Sequence, residues 1–435
     1  MLELCEKVRK SNDLPKEKLS KKNLMKSRTT LKSRKPTLSL SSVVFSLTLI
    51  TCLVVSTLTV SIFSPLTLAG RVALVGTLAL GTSLLLGYVT LYKVILKPFI
   101  AVGLLFFSLI TYYALSWVTQ PSAQGLTSLV QLALAFGYFS GLVLVLRRGW
   151  LTVIIRFMAG FASLFVFLHV GAWVALGTPR IFSSYFAHPN VLGSLTLFLL
   201  FFPVVSAVLA TRKLTIFFWL LTVGLGGLLI FATTSRSAWL AVAAMAVTYL
   251  LWRPLTKSAL GYHLFILAVF TAIGIVVVAY ANLPDSPQAP QLNAVVMDYT
   301  GKNLLSGRDR FWSDLITLIR QRPFFGYGAG ALPEDYLDIG FSAHNSYLQV
   351  SLQGGLVGLI LFLGLLWSIW GLLRLRYDPT VRVAGAFFVA ILVHQTFEVS
   401  LLQNNLTIGT VQWLVIACGV AAALAKDTRR PRAHR

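Results

Sequence analysis

Apolar runs of about 20 residues recur along most of this chain. A run of that length crosses a bilayer as a helix, because in hydrocarbon every backbone N–H and C=O must find its partner within the protein. An outer-membrane barrel fits poorly, since its strands alternate apolar and polar over roughly 10 residues, and stretches such as residues 42–63 run apolar without alternation. Hydrophobic residues make up 56% of the chain and charged residues 12%, about half the charge of an ordinary globular domain. The pattern predicts an all-α polytopic membrane protein of about 12 transmembrane helices. They are expected at residues 42–63, 70–92, 98–118, 125–146, 149–176, 190–210, 214–231, 237–252, 261–281, 345–372, 383–402 and 405–425.

The net charge is +23, which alone would suit nucleic acid or an anionic surface. Its placement decides against nucleic acid. Residues 1–41 hold 12 Lys and Arg against Glu3, Glu6, Asp13 and Glu17. This segment reads as a disordered basic tail on the cytoplasmic side, able to rest on membrane lipids. With the tail inside, the even-numbered junctions fall inside too. They carry Lys93 and Lys97, Arg147 and Arg148, Arg212 and Lys213, Arg253 and Lys257, then Arg374, Arg376 and Arg382. Residues 426–435 form a second basic cytoplasmic end, so positive-inside placement holds along the transmembrane domain, 42–425. The first apolar run begins only near residue 42, which reads as an uncleaved anchor. Cys5, Cys52 and Cys418 are too scattered for a disulfide framework or a zinc site.

Some cations break the rule. Arg180, Arg236, Arg308 and Arg310 lie on the outer side, as do Arg71 and Lys302, which belong to no interpretable polar motif. The long extracytoplasmic loop, 282–344, opens with a Pro-rich stretch. It then shows an amphipathic surface helix with Phe311, Trp312, Leu315, Ile316 and Ile319 on one face. Asp309 near its start and Arg320 and Arg322 near its end suit the helix dipole, which assigns those two arginines to the helix rather than to a ligand.

Arg236 stands among Ser235, Ser237 and two threonines where a span begins. Free backbone N–H groups and a guanidinium there suit an anion, although an arginine snorkelling to the interface gives the same pattern. Arg308 and Arg310 flank Asp309 after a glycine at another helix start. His344 precedes Asn345 where the long loop re-enters the membrane, and histidine is the usual general base near neutral pH. Arg180 precedes the Pro189-Asn190 turn. His394 and Glu398, four apart, are expected on one helical face, as a structural pair or facing a cavity. No Asp-x-Asp occurs and the outer loop 64–69 has no acid, so phosphate would be neutralised by arginine, with no metal or other cofactor.

Several ordered motifs together resemble the O-antigen ligase/polymerase family. They are Ser235-Arg236-Ser237-Ala238-Trp239-Leu240, Gly307-Arg308 with Trp312, the Arg322 to Gly328 run, His344-Asn345-Ser346-Tyr347-Leu348-Gln349 with the glycines at 354, 355 and 358, and Phe186-Ala187-His188-Pro189-Asn190. The resemblance implies a membrane glycosyltransferase at the outer face of the inner membrane. It would move a glycan from a polyprenyl-pyrophosphate-linked donor to a glycan or lipid A core acceptor. It implies that Arg236 and Arg308 bind pyrophosphate and that His344 activates the acceptor. Arg180, Arg310, Ser235, Asn345, His188 and Glu398 are then substrate-binding candidates. A ligase is the leading expectation and a polymerase of the same family the alternative. A transporter of a lipid-linked glycan or small anion is a further one, weakened by the few ionisable residues within spans (Arg156, His169, His263, His394, Glu398) and by the lack of an internal repeat.

Overall fold

A computed structural model describes residues 39–92, 97–304, 308–338 and 342–425, with only the backbone at 91–92, 148 and 308–310. Nearly all of the basic tail and the basic end 426–435 lie outside the described residues. In chain order the helices are α1 (Leu40–Ser56), α2 (Thr67–Tyr92), α3 (Ile100–Thr119), α4 (Ala123–Val145), α5 (Leu151–Ala175), α6 (Pro189–Leu199), α7 (Phe201–Leu209), α8 (Lys213–Ala232), α9 (Arg236–Lys257), α10 (Ala259–Asn282), α11 (Ala289–Thr300), α12 (Arg308–Gln321), α13 (Ser346–Leu373), α14 (Pro379–His394) and α15 (Leu406–Ala423). Among the described residues, 11 helical segments are long and apolar enough to cross a membrane. The all-α polytopic membrane fold expected from the apolar runs is the one observed.

The expected span at 383–402 is the exception, because its helix α14 has only 16 residues and stops at His394. The side chain of Gln395 ends it. Its carbonyl oxygen accepts from Ser346 Oγ at 2.6 Å and from the backbone N–H of Leu401 at 3.2 Å, and its amide donates to Ser400 Oγ and Gln412 Oε1. A buried primary amide thus supplies partners that helix continuation would otherwise provide, which lets the chain run irregularly inside the protein. The expectation that His394 and Glu398 share a helical face is therefore corrected. His394 is fully buried between Ser194 Oγ (2.7 Å) and Gln412 Nε2 (3.3 Å), tying α6, α14 and α15 together. Glu398 lies past the helix end and faces elsewhere.

Two spans are broken for readable reasons. The span Pro189–Leu209 divides at Leu200. Pro203 has no N–H to donate to the carbonyl four residues back, so the ladder opens there. Within α13, Gly355 adopts φ 56° and ψ −154°, a conformation open essentially to glycine alone. The freed backbone groups are taken by the segment before the helix. Tyr327 and Gly328 donate N–H to the carbonyls of Leu352 and Gln353, while Leu356 and Val357 donate to those of Pro323 and Phe324. Tyr112 Oη closes the knot on the carbonyls of Phe325 and Gly354. The Arg322–Gly328 and Gly354–Gly358 motifs are thus two halves of one interlock.

The amphipathic helix is α12. Its apolar face, Phe311, Trp312 and Leu315, is 4%, 0% and 0% exposed and packs on α10 and α13, so its amphipathicity serves packing within the protein. The helix α15 is buried at every position, as expected of a helix apolar on all sides. Its ends are marked chemically. At the C-terminal end Arg147 donates to the carbonyl of Leu424 and Arg376 to that of Ala425. Nearby junctions join in similar fashion, Arg382 on the carbonyl and ring of Tyr249 and Arg253 on Tyr377 Oη. Arg147, Arg253, Arg376 and Arg382, all read as inner-side residues, thus anchor helix ends and junctions near the C-terminal end of α15.

Candidate functional site

At the other end of α15 lies a cavity of about 700 Å³. Several helix starts converge on it, and each turns toward it backbone N–H groups that have no partner within their own helix, together with the positive end of its dipole. His188 caps α6, its Nδ1 accepting from Asn190 N–H at 3.1 Å, with Pro189 as the first helical residue. Arg236 is the first residue of α9 and follows Thr234, whose φ of 50° is unusual for a β-branched residue. Phe311, in the first turn of α12, and Asn405 and Ile408, at the start of α15, complete this wall.

Cations line one part of the cavity. Arg236 NH1 donates to the carbonyl of Leu304 at 3.2 Å. Leu304 is fixed in turn by Tyr280 Oη on the same carbonyl (2.7 Å) and by Asn293 Oδ1, which accepts its N–H (2.7 Å). Lys302 Nζ donates to the carbonyls of Thr233 (3.1 Å) and Thr234 (3.2 Å) at the end of α8. Burial, and secondly the guanidinium of Arg236, push the Lys302 ammonium down to about 8.

His344 sits just before α13 at φ 45°. Asn345 caps α13 by accepting from Leu348 N–H (2.9 Å), and Trp312 Nε1 donates to the carbonyl of Ala343 (2.9 Å), so the histidine is held from both sides. Its Nδ1 lies 3.8 Å from Glu398 Oε2, and Asn190 Nδ2 donates to Glu398 Oε1 at 3.5 Å. The carboxylate and the imidazole thus face each other, and both residues line the cavity.

The structure brings His344, Arg236, His188 and Glu398 to the cavity. It does not bring Arg180, which is exposed in the loop before α6, nor Ser235 and Asn345, which are fully buried. Ser235 packs against Gly193, where a Cβ would come within 2.9 Å of it. Arg308 and Arg310 have their backbone in the first turn of α12, beside Phe311, and their side chains lie outside the described residues. Sequence reasoning missed Lys302, Asn303, Asn405 and the place of Phe311. The available signal was that Lys302 is an outer-side cation. Among the described residues, no three of His, Cys, Asp and Glu gather as metal ligands.

No curated protein matches the chain. Residues 216–363, which carry Arg236, Lys302, Phe311 and His344, match the family model described as O-antigen ligase.

Proposed function

We propose that the protein transfers a glycan from a polyprenyl diphosphate carrier to an acceptor sugar hydroxyl in this cavity, at the outer face of the inner membrane with both termini cytoplasmic. The observation that carries the reading is one cavity holding both the cations Arg236 and Lys302 and the His344–Glu398 pair. His344 Nε2 takes the proton of the acceptor hydroxyl as its oxygen attacks the anomeric carbon. The bond from that carbon to the diphosphate oxygen breaks, and the electron pair leaves with the diphosphate. Arg236 meets the charge that develops there, and such placement is usually the largest catalytic contribution. Arg308, at the start of α12, is assigned the same role by its place in the motif.

The carrier's chain has a path. An apolar cavity of about 360 Å³ is lined by Leu195 and Leu199 of α6 and Thr407 and Val411 of α15. Those two helices also give Asn190, Val191 and Ile408 to the polar cavity, so an isoprenoid chain can run down them from a diphosphate held above. Leu164 and Leu168 at its side are 58% and 62% exposed, which opens it toward lipid.

We read the acceptor as the lipid A core. Purified protein given a polyprenyl-diphosphate-linked glycan and core acceptor should release carrier diphosphate and form glycosylated core. Arg236→Ala should slow this by about 100- to 1,000-fold. Undiminished turnover in that variant sinks the mechanism. Product formed only between two carrier-linked glycans would make the enzyme a polymerase.

A further inference from the structure

We propose that Lys302 is a second cation of the anion site, so that Arg236 and Lys302 together grip a ligand carrying two adjacent phosphates. This rests on the diphosphate donor of the proposed function, but not on any glycan being transferred. Lys302 lies in the loop after α11, outside the motifs that carry the family resemblance.

Three observations support it. First, Lys302 is anchored for the task. An ammonium has three N–H donors, and two of them go to the carbonyls of Thr233 and Thr234 at the end of α8, leaving one for the cavity it lines. Second, the cation is held beside Arg236 rather than swung away, although like charges oppose this. A bound anion turns that repulsion into shared attraction. Third, Thr234 lines the same cavity, is 8% exposed, and its buried hydroxyl has no protein partner among the described residues.

The arrangement has a measurable signature. The free ammonium titrates near 8, and a neighbouring phosphate favours its charged form. Binding between about pH 8 and the higher bound value therefore takes up a proton. Affinity falls as pH rises through that window and is independent of Lys302 titration below it. The other titratable or charged groups lining the cavity among the described residues are Arg236 on α9, His188 before α6, His344 before α13 and Glu398 after α14. All of them remain in a Lys302 variant, so only uptake lost on substitution reads on Lys302.

The test uses full-length protein in lipid nanodiscs, with inorganic pyrophosphate and inorganic phosphate as probes. Calorimetry is run near pH 8.5 in two buffers of different ionisation enthalpy. Wild type should bind pyrophosphate more tightly than phosphate, with proton uptake. Lys302→Met should lose about 10- to 100-fold in pyrophosphate affinity, as removal of a charged hydrogen bond does. Lys302→Arg should keep the affinity and lose the uptake, which also controls for misfolding of the methionine variant. Wild-type affinity in folded Lys302→Met, or full uptake in Lys302→Arg, overturns the proposal. Lys302-dependent binding without any glycan transfer would instead sink the proposed function and leave this inference standing. Transfer that needs Arg236 but is indifferent to Lys302 does the reverse.

Discussion

His344 and Lys302 show how single residues gain meaning from their neighbours. His344→Ala should slow transfer by about 100- to 10,000-fold, the usual worth of a positioned base. Glu398→Gln keeps the shape and removes the charge 3.8 Å from Nδ1, so turnover number should fall less than in His344→Ala with donor affinity unchanged. Equal losses in both variants would mean that Glu398 does more than orient. Lys302 also gives a stability prediction for the ligand-free protein. Its ammonium titrates at 10.5 unfolded and about 8 folded. Between those values the unfolded chain holds more protons, so stability rises with pH across that window. Thermal melts from pH 8 to 10.5 should show a rise in wild type that is absent in Lys302→Met. His344 and Arg236 were legible because each sits in a compact polar motif. Lys302 was not, since its partners at 233 and 234 are far away in sequence. The pairing of Glu398 was misread because spacing of four implies a shared face only while a helix continues.

The elements around the site are held by breaks and anchors rather than by long regular helices. Gly355→Ala should lower the melting temperature markedly, because its φ is 56° and a Cβ would lie 2.4 Å from the carbonyl carbon of Phe324. Such a strained position alone costs about 1–3 kcal/mol. Trp312→Ala removes a fully buried ring and its bond to Ala343. It should cost about 3–5 kcal/mol and lower turnover by freeing the segment before His344. Thermal melts and rates measured on the same preparations check both variants. Most helices could be read directly, since a lipid-facing or core-facing run leaves an apolar record about 20 residues long. The end of α14 could not, because Gln395, Ser400 and Gln412 end the helix through contacts that the apolar pattern around them does not encode.

For the whole molecule, the cavity and the arginine-rich junctions lie at opposite ends of α15, whose 18 residues span about 27 Å as a helix. If the basic end is cytoplasmic, the cavity opens outward. A single cysteine at exposed Asn303, with Cys5, Cys52 and Cys418 replaced, should react in intact spheroplasts with a membrane-impermeant maleimide. A cysteine replacing Tyr377 should react only after lysis, and the opposite pattern would invert the topology. The sequence by itself determined the class of fold, the number of apolar runs and the placement of charge, because bilayer solvation acts on each segment independently. It also supplied the motifs. Only the tertiary structure decided which motifs meet. It set Arg236 beside Lys302, Glu398 beside His344, and the Arg322–Gly328 run in the break of α13. The reason is physical: a contact between helices depends on where each one breaks and which face it turns inward, and those are settled only when all of them pack together.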